Sequence, residues 1–442
     1  MLSTITRYSI YFLLIFTPLA AGSVQGWAIS VIHMVTLLAL TAFLLEKSLA
    51  WDWEWIKTPL DKPILCLIVL CLLSTFFSVN SYTSSWALIL FLNYLIIYYL
   101  IVHAVRSRSQ LQQIVYLIIG MAVLLSVIGF LKIFYDNPFP WWDYTKIQKT
   151  PARFSSTFVN ADHLAGYMEM AIPLLAGLLL TGLQRIKRYL IMALILFLVM
   201  PLIFSHSRGG WSGLLTGLVF MSGALYFSRH FQLKKLLQTL VIGFFVVSFI
   251  VLSSTPTVKR IVITSEQMRN LARIPVWGGI IKMIKDYPLL GTGPGTFAMV
   301  YTQYQPPGFD SRYFRAHNDF LQFISETGLV LIPLIAWMMI ALFVKGFKKL
   351  NNSSRLVEGV TIGAMSGITA ILVHSIFDFN LHIPANALLF TTLAAIVVSP
   401  IPSPEVRSQR SEDGGRTSVV RRQKSEDRTQ ISEVRSQKTD DR

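Results

Sequence analysis

The sequence predicts an all-α, polytopic membrane protein with about twelve transmembrane helices and one long extramembrane loop that carries short helices. Of its 442 residues, 53% are hydrophobic and only 14% are charged, which is not the composition of a soluble protein. Apolar runs long enough to cross about 30 Å of hydrocarbon recur along the chain. Its basic residues follow the connections between these runs, as membrane topology requires.

The apolar runs leave no room for a sizeable soluble domain. We expect residues 1–400 to form one bundle that includes the long loop at 254–326. We do not expect the first run to be a cleavable signal, because no small-residue cleavage site follows it and Gly22–Gly26 is typical of a tight hairpin. The predicted spans lie at residues 8–22, 27–45, 63–79, 86–103, 112–134, 163–182, 189–205, 210–227, 236–253, 328–344, 357–376 and 383–399.

The net charge of +16 reflects topology and does not indicate nucleic-acid binding. The short turns at 80–85 and 377–382, on the opposite side from the basic connections, contain no Lys or Arg. Both termini are therefore predicted to be cytoplasmic. The basic residues of the inner connections are Lys47, Lys57, Lys62, Arg106, Arg108, Arg185, Lys187, Arg188, Arg229, Lys234, Lys235, Lys345, Lys348, Lys349 and Arg355.

Three outer connections break this charge rule. They are residues 146–153, the hairpin that contains Arg208, and the long loop. A long loop is translocated regardless of its charge, but a single arginine in a tight outer hairpin is unusual.

Two further features indicate little about function. Residues 401–442 contain almost no apolar side chains and predict a disordered cytoplasmic tail, with a specific docking element as the alternative. Cys66 and Cys71 fall on different faces of the third predicted span and indicate packing, with no disulfide or metal site.

The long loop has local structure of its own. Thr264 and Gln267 form a capping-box pattern that predicts a short helix through Ala272. After Pro275, apolar residues recur at helical spacing, which predicts an amphipathic helix on the membrane surface. Pro288 should stop this helix. The following GTGPGTF lacks the Gly-Lys-Ser/Thr ending of a nucleotide loop, so it is either an irregular turn or a backbone nest for phosphate.

His317, in AHNDFLQFISETG, is the main candidate for catalysis, because titratable groups are expected to work where the chain leaves the hydrocarbon. A helix is predicted to begin around His317, and the positive end of its dipole would favour the neutral imidazole that accepts a proton. Asn318 and Asp319 are candidate supporting residues, although Asp319 should face away from His317. The alternative is a capping or interfacial histidine.

Three arginines are predicted to share the outer face with His317. They are Arg208 in SHSRGGW, Arg273 in ARIPVW and Arg153 in RFSSTFVNADHLAGY. Each alone also fits an arginine that extends its guanidinium to the membrane interface. Together they suit a diphosphate, because a guanidinium binds phosphate oxygens through two parallel hydrogen bonds. No cluster of outer carboxylates has metal-ligand spacing, so we predict a reaction without metal or cofactor.

Two more polar clusters lie at predicted outer span ends, with Asp378 as a further candidate supporting residue. Capping or interhelical hydrogen bonds explain them without catalysis, although both should border the same cavity mouth. The first comprises Asn160, Asp162, His163 and Glu169, and the second His374, Asp378, Asn380 and His382.

Five segments occur in a fixed order along the chain: RFSSTFVNADHLAGY, SHSRGGW, RIPVWGGIIKMIKDYPLLGTGPGTF, AHNDFLQFISETG and HSIFDFNLHIP. Through these segments, over about residues 153–384, the chain resembles the O-antigen ligase and polymerase superfamily of bacterial membrane glycosyltransferases. The first 150 residues agree mainly in the number of spans.

This resemblance implies an enzyme of the bacterial inner (plasma) membrane. Such an enzyme transfers a glycan from undecaprenyl diphosphate to an acceptor hydroxyl on the periplasmic side, and in ligases the acceptor is the lipid A core. By the resemblance, His317 matches the proposed general base, and Arg208 and Arg273 match arginines that hold the donor diphosphate. Arg153 is carried over as a third.

The residue chemistry agrees with this reading. An activated sugar diphosphate contains its own driving force, and no nucleotide motif is present. Direct displacement needs a base for the attacking hydroxyl and positive charge at the leaving diphosphate, and a single displacement inverts the anomeric carbon.

Several alternatives remain open on sequence alone. Related enzymes polymerise repeat units or glycosylate proteins. A small-solute transporter, of the bicarbonate type, is a different class, but transporters usually place ionisable groups near the membrane midplane, and here Glu169 is the deepest one. A noncatalytic role in envelope assembly would predict tolerance of substitution at His317.

Overall fold

The computed structural model describes residues 2–135, 153–227, 273–307, 312–350 and 354–401, and every regular element in these ranges is a helix. The prediction of an all-α protein is confirmed. In chain order the α-helices are α1 Leu2–Leu19, α2 Gly26–Leu49, α3 Asp61–Phe76, α4 Ser81–Ala104, α5 Arg108–Phe134, α6 Ala161–Leu179, α7 Arg185–Phe204, α8 Arg208–Phe227, α9 Arg273–Asp286, α10 Phe297–Val300, α11 Asp319–Thr327, α12 Leu331–Leu350, α13 Arg355–His374 and α14 Pro384–Val398.

Eight of the described helices are long and apolar enough to cross a membrane, namely α1, α2, α4, α5, α7, α8, α12 and α13. Three further predicted spans coincide with helices that are shorter or more polar: α3 has 16 residues, α14 has 15, and α6 carries Asp162 and Glu169. The predicted span at 236–253 lies outside the described residues, so the number twelve stays a prediction. The predicted helix that ends at Ala272 and the polar tail also lie outside them.

The centre of the bundle is formed by α6, α8, α13 and α14. Of the 18-residue span windows, that of α13 is 78% buried inside the protein, whereas that of α12 is 17% buried and lies at the periphery. Small residues allow α6 and α13 to touch along their backbones. A Cβ atom built on Gly177 would lie 2.2 Å from the carbonyl oxygen of Gly359. Close backbone packing of this kind is typical of helix contacts within membranes.

Helix ends follow the chemistry of the sequence. The predicted hairpin after α1 is confirmed, since a single 3-10 turn at Ala21–Ser23 leads into α2 at Gly26. Asn80 caps α4 by accepting a hydrogen bond from Thr83 N, and Asn160 caps α6 in the same way through Asp162 N. Each cap satisfies a backbone donor that has no partner within its own helix.

The described residues between α8 and α12, 273–307 and 312–330, form a small layer over one end of the bundle. Its first described helix, α9, confirms the predicted amphipathic helix, and α9 ends at Asp286 before Pro288, as predicted. Part of its apolar face packs against the neighbouring residues of this layer, in a core that buries Val276, Ile280, Met283, Phe297, Val300, Tyr301 and Ala316. Ile281, on the predicted apolar face, keeps 48% of its surface exposed. The place of α9 on the membrane surface stays a prediction.

Candidate functional site

His317 lies one residue before the cap of α11. The helix begins at Asp319, and Asn318 caps it by accepting a hydrogen bond from Leu321 N at 2.9 Å. The expected helix start at His317 was therefore too early, because a capping side chain needs an extended backbone in front of the first turn. His317 itself has φ +48°, which is uncommon for a residue other than glycine. Such backbone geometry is often found at functional sites.

The His317 ring is held by the turn that follows α13. Its Nδ1 lies 3.2 Å from Oδ1 of Asp378, and its ring meets the edge of Phe379 with centroids 5.0 Å apart. The His317 side chain keeps 36% of its surface exposed, whereas that of Asp378 keeps 5%. The carboxylate fixes the Nδ1–H tautomer, so the lone pair of Nε2 is the one available to accept a proton.

Asp378 remains ionised although it is buried. Burial alone would raise the pKa of its carboxyl group, but the hydrogen bond from His317 and the neighbouring His163 and His374 outweigh it and hold the pKa well below its ordinary value. Asp378 Oδ1 also accepts a hydrogen bond from Phe379 N at 2.9 Å. The carboxylate is therefore both oriented and charged.

Asp319 has a different partner, which agrees with the expectation that it faces away from His317. Its buried carboxylate accepts hydrogen bonds from Leu381 N at 2.9 Å and from the ring of His382. Its backbone N donates to the carbonyl oxygens of Ser375 and Asp378. Asp319 thus attaches the start of α11 to the turn between α13 and α14, and so holds His317 beside Asp378.

The glycine-rich turn is held by Glu326 of α11. Oε2 of Glu326 accepts from Gly295 N at 2.8 Å and Oε1 from Phe297 N at 3.2 Å. The Glu326 carbonyl oxygen accepts from Gly293 N at 2.8 Å. Two N–H groups of the possible phosphate nest are therefore used by a carboxylate of the protein, which favours the structural alternative.

Arg208 is the first residue of α8, and its side chain is exposed. The turn before it is tightly built: His206 has φ +51°, and the hydroxyl of Ser207 accepts a hydrogen bond from Gly210 N at 3.2 Å. The turn thus fixes the backbone from which the Arg208 guanidinium extends.

Arg153 contacts both this turn and α6. Its guanidinium makes two parallel bonds to the carboxylate of Asp162, at 2.7 and 2.9 Å, and its Nε donates to the carbonyl oxygen of Ser205 at 2.7 Å. The fork that was predicted to bind a diphosphate is therefore engaged by a carboxylate of the protein. Its place beside the Arg208 turn agrees with the predicted shared face.

Arg273 begins α9, and its side chain is not among those described. The helix itself is anchored next to His317, because Nε1 of Trp277 donates to the carbonyl oxygen of Ala316 at 3.1 Å. Arg273 precedes Trp277 by about one helical turn. Trp277 in turn contacts Ala316, the residue directly before His317.

The two polar clusters contribute to one contact network. Glu169 pairs with His374, and Asn386 donates both to the carbonyl oxygen of His163 and to the side chain of Asn380. The ring of His163 meets Phe379, the ring that also contacts His317. Both clusters therefore border the site. Their contacts include the pair Glu169–His374 between α6 and α13, the cap at Asn160, and the bonds of Asp162 and Asp378 with residues outside the helices.

No group of three or more His, Cys, Asp or Glu side chains in the described ranges is arranged to hold a metal ion. Metal independence stays a prediction.

These contacts join the turn of Arg208, the end of α13, and His317 at one end of the bundle. Sequence reasoning identified His317 but did not identify Asp378 as its partner. The available signal was the HSIFDFNLHIP turn, which places a carboxylate at an outer span end.

The fold and the site define a multi-pass, all-helical membrane protein with a histidine–carboxylate pair at one end of its bundle. Residues 190–336 match the model of a protein family described as O-Antigen ligase. The match confirms the similarity to the O-antigen ligase and polymerase superfamily that the motifs indicate. The matched stretch includes Arg208, Arg273 and His317. A comparison with curated proteins found no match.

Proposed function

We propose that the protein transfers a glycan from undecaprenyl diphosphate to an acceptor hydroxyl on the periplasmic face of the bacterial inner membrane. The observation that carries this proposal is the His317–Asp378 pair, at 3.2 Å, beside an exposed arginine turn. The O-antigen ligase family match favours a transferase over the transporter alternative.

In this mechanism His317 Nε2 accepts the proton of the attacking hydroxyl. Asp378 holds the ring by its Nδ1–H and stabilises the imidazolium that forms. The hydroxyl oxygen attacks the anomeric carbon, and the bond from that carbon to the diphosphate oxygen breaks with its electron pair leaving on the diphosphate. A single displacement of this kind inverts the configuration at the anomeric carbon.

Arg208 and Arg273 are proposed to neutralise the charge that develops on the leaving diphosphate. Arg153 has a modified role in this proposal. Because Asp162 engages its guanidinium and its Nε holds Ser205, Arg153 supports the Arg208 turn, and donor contact is the alternative. The reaction is proposed to need no metal ion.

The acceptor decides between ligase and polymerase. We favour the lipid A core, with polymerisation of repeat units or glycosylation of a protein as the alternatives within the superfamily. Analysis of surface lipopolysaccharide after gene deletion tests this point. Loss of the whole polymer from lipid A supports a ligase, whereas a lipid A core capped with a single repeat unit contradicts it and supports a polymerase.

A further inference from the structure

A buried polar chain connects three helices beneath the Arg208 turn. Nδ1 of His374 lies 3.0 Å from Oε1 of Glu169, and Nε2 of His374 lies 3.4 Å from the hydroxyl oxygen of Ser207. The side chains of His374 and Glu169 are 1% and 0% exposed. They come from α13 and α6, and Ser207 immediately precedes α8. A buried ionisable pair within a membrane bundle is expensive, and such groups generally have a function.

The hydrogen bonds of this polar network are compatible with both charge states of His374. Its Nδ1–H donates to the Glu169 carboxylate in either state. Nε2 accepts from the Ser207 hydroxyl when the ring is neutral and donates to the same oxygen when the ring is an imidazolium. The lone pairs of that hydroxyl remain available for Gly210 N, which lies 3.2 Å away. Glu169 thus orients His374, His374 orients Ser207, and Ser207 caps the helix that begins with Arg208.

The fit around His374 is close. A Cβ atom on Gly209 would lie 2.3 Å from Cδ2 of the His374 ring, and one on Gly213 would lie 2.5 Å from Oε2 of Glu169. The backbone of α8 therefore rests directly on the pair. Any displacement of the His374 ring shifts the surface against which the first turn of α8 packs.

His374 also leads into the other half of the site. Its carbonyl oxygen accepts hydrogen bonds from Phe377 N at 2.8 Å and from Asp378 N at 3.1 Å. One residue thus contacts the Arg208 turn through its ring and the Asp378 turn through its backbone.

We propose that Glu169 and His374 are positioning residues that set Arg208 relative to the His317–Asp378 pair. This inference rests on the proposed function, in which Arg208 binds the donor diphosphate. Neither residue touches the substrate.

The test is a double-mutant cycle on the purified full-length protein in lipid vesicles, with undecaprenyl diphosphate glycan as donor. His374→Asn is the informative change, because the Asn amide replaces Nδ1 and keeps a donor for Glu169 while the contact with Ser207 is lost. It is combined with Arg208→Lys, which retains charge but not the planar fork. Ser366→Ala is the matched control, since Ser366 is buried on the same helix and its hydroxyl donates to the carbonyl oxygen of Ile362 within that helix.

We expect His374→Asn to raise the KM for the donor roughly tenfold, as the loss of one hydrogen bond to a charged system would, with the KM for the acceptor unchanged. In the Arg208→Lys background, His374→Asn should raise the donor KM little further. If the fold-increases in donor KM from the two substitutions multiply in the double variant, the Glu169–His374 pair acts independently of Arg208 and the proposal is overturned. Ser366→Ala should behave as the wild type.

Two further outcomes are decisive. An unchanged donor KM for Arg208→Lys would remove the diphosphate role of Arg208, and with it the positioning role. If His374→Asn does not insert or fold, Glu169→Gln replaces it in the same cycle, because Gln keeps the size and an acceptor oxygen while the charge is lost. Glu169→Gln should likewise raise the donor KM in the wild type but little further in the Arg208→Lys background. Fold-increases that multiply would again contradict the proposal.

Discussion

Nδ1 of His317 lies 3.2 Å from Oδ1 of Asp378, and this contact joins the segment before α12 to the turn after α13. The two residues are 61 positions apart in the chain. Asp319 holds them together through its bonds to the same turn. The geometry is that of a base and its orienting carboxylate.

Asp378→Asn should lower kcat by at least about tenfold with a smaller change in either KM, because the amide no longer stabilises the imidazolium. Asp61→Asn is the matched control: the same chemical change at a carboxylate that begins α3 and accepts hydrogen bonds from Thr58 N and from the hydroxyl of Tyr99 in α4. This control should lower the free energy of unfolding in detergent by roughly 1–3 kcal/mol, because hydrogen bonds to a charged group are weakened. Steady-state kinetics and melting of both variants check this. A wild-type kcat for Asp378→Asn would contradict the orienting role.

Arg208→Ala and Arg273→Ala should each weaken donor binding or turnover, and Lys at either position should restore activity only in part, since the two parallel bonds to phosphate oxygens are lost. Donor titration at fixed acceptor concentration measures the effect. Arg312→Ala is the control, because Arg312 is exposed and donates to the carbonyl oxygen of Ala298. Full rescue by Lys would argue against bidentate recognition.

Arg153 and Asp162 can be separated by comparing their variants. If Arg153 supports the Arg208 turn, Asp162→Asn and Arg153→Lys should both raise the donor KM, because each disturbs the same ion pair. If Arg153 binds the donor, Asp162→Asn should leave the donor KM unchanged or lower it, since the guanidinium is released. The donor KM of Asp162→Asn, divided by that of the wild type, distinguishes these roles: a ratio above one indicates support of the turn, and a ratio of one or less indicates donor binding.

Glu326→Gln should destabilise the glycine-rich turn. The amide cannot accept from both Gly295 N and Phe297 N without placing a donor against one of them. The free energy of unfolding should fall by roughly 1–3 kcal/mol, which is measured as a lower melting temperature. Faster proteolysis within residues 288–297 should accompany it. Unchanged stability would show that Glu326 does not hold this turn.

The local elements were largely predictable because they depend on neighbours in sequence. The first hairpin, the amphipathic helix and its end before Pro288 follow from turn residues and helical spacing, although α9 begins at Arg273, two residues before Pro275. His317 was identified because it lies in a polar segment of an apolar chain. The start of α11 was misplaced because an Asn cap, at residue 318, shifts the first turn.

The packing and hydrogen-bond partners of α9, α11 and His317 were less predictable, because each depends on tertiary packing. Periodicity showed an apolar face on α9 but could not show that it packs on Phe297 and Tyr301. The buried face of α11 is largely polar, with Asp319, Gln322 and Glu326, since it satisfies backbone groups of two turns. A pattern of residue types does not reveal such bonds in advance. Asp378 was among the candidates, but its pairing with His317 appears only once α11 meets the turn after α13.

The central claim is tested most directly by glycan transfer in a purified system. The wild-type protein and His317→Ala are reconstituted equally, with undecaprenyl diphosphate glycan and an acceptor such as the lipid A core, and with a chelator present. His33→Ala, at a histidine that contacts Asn93 between α2 and α4, controls for loss of an imidazole elsewhere. We predict transfer by the wild type and by His33→Ala, and a loss of about 10²- to 10⁴-fold for correctly inserted His317→Ala. A wild-type rate for His317→Ala would contradict the account.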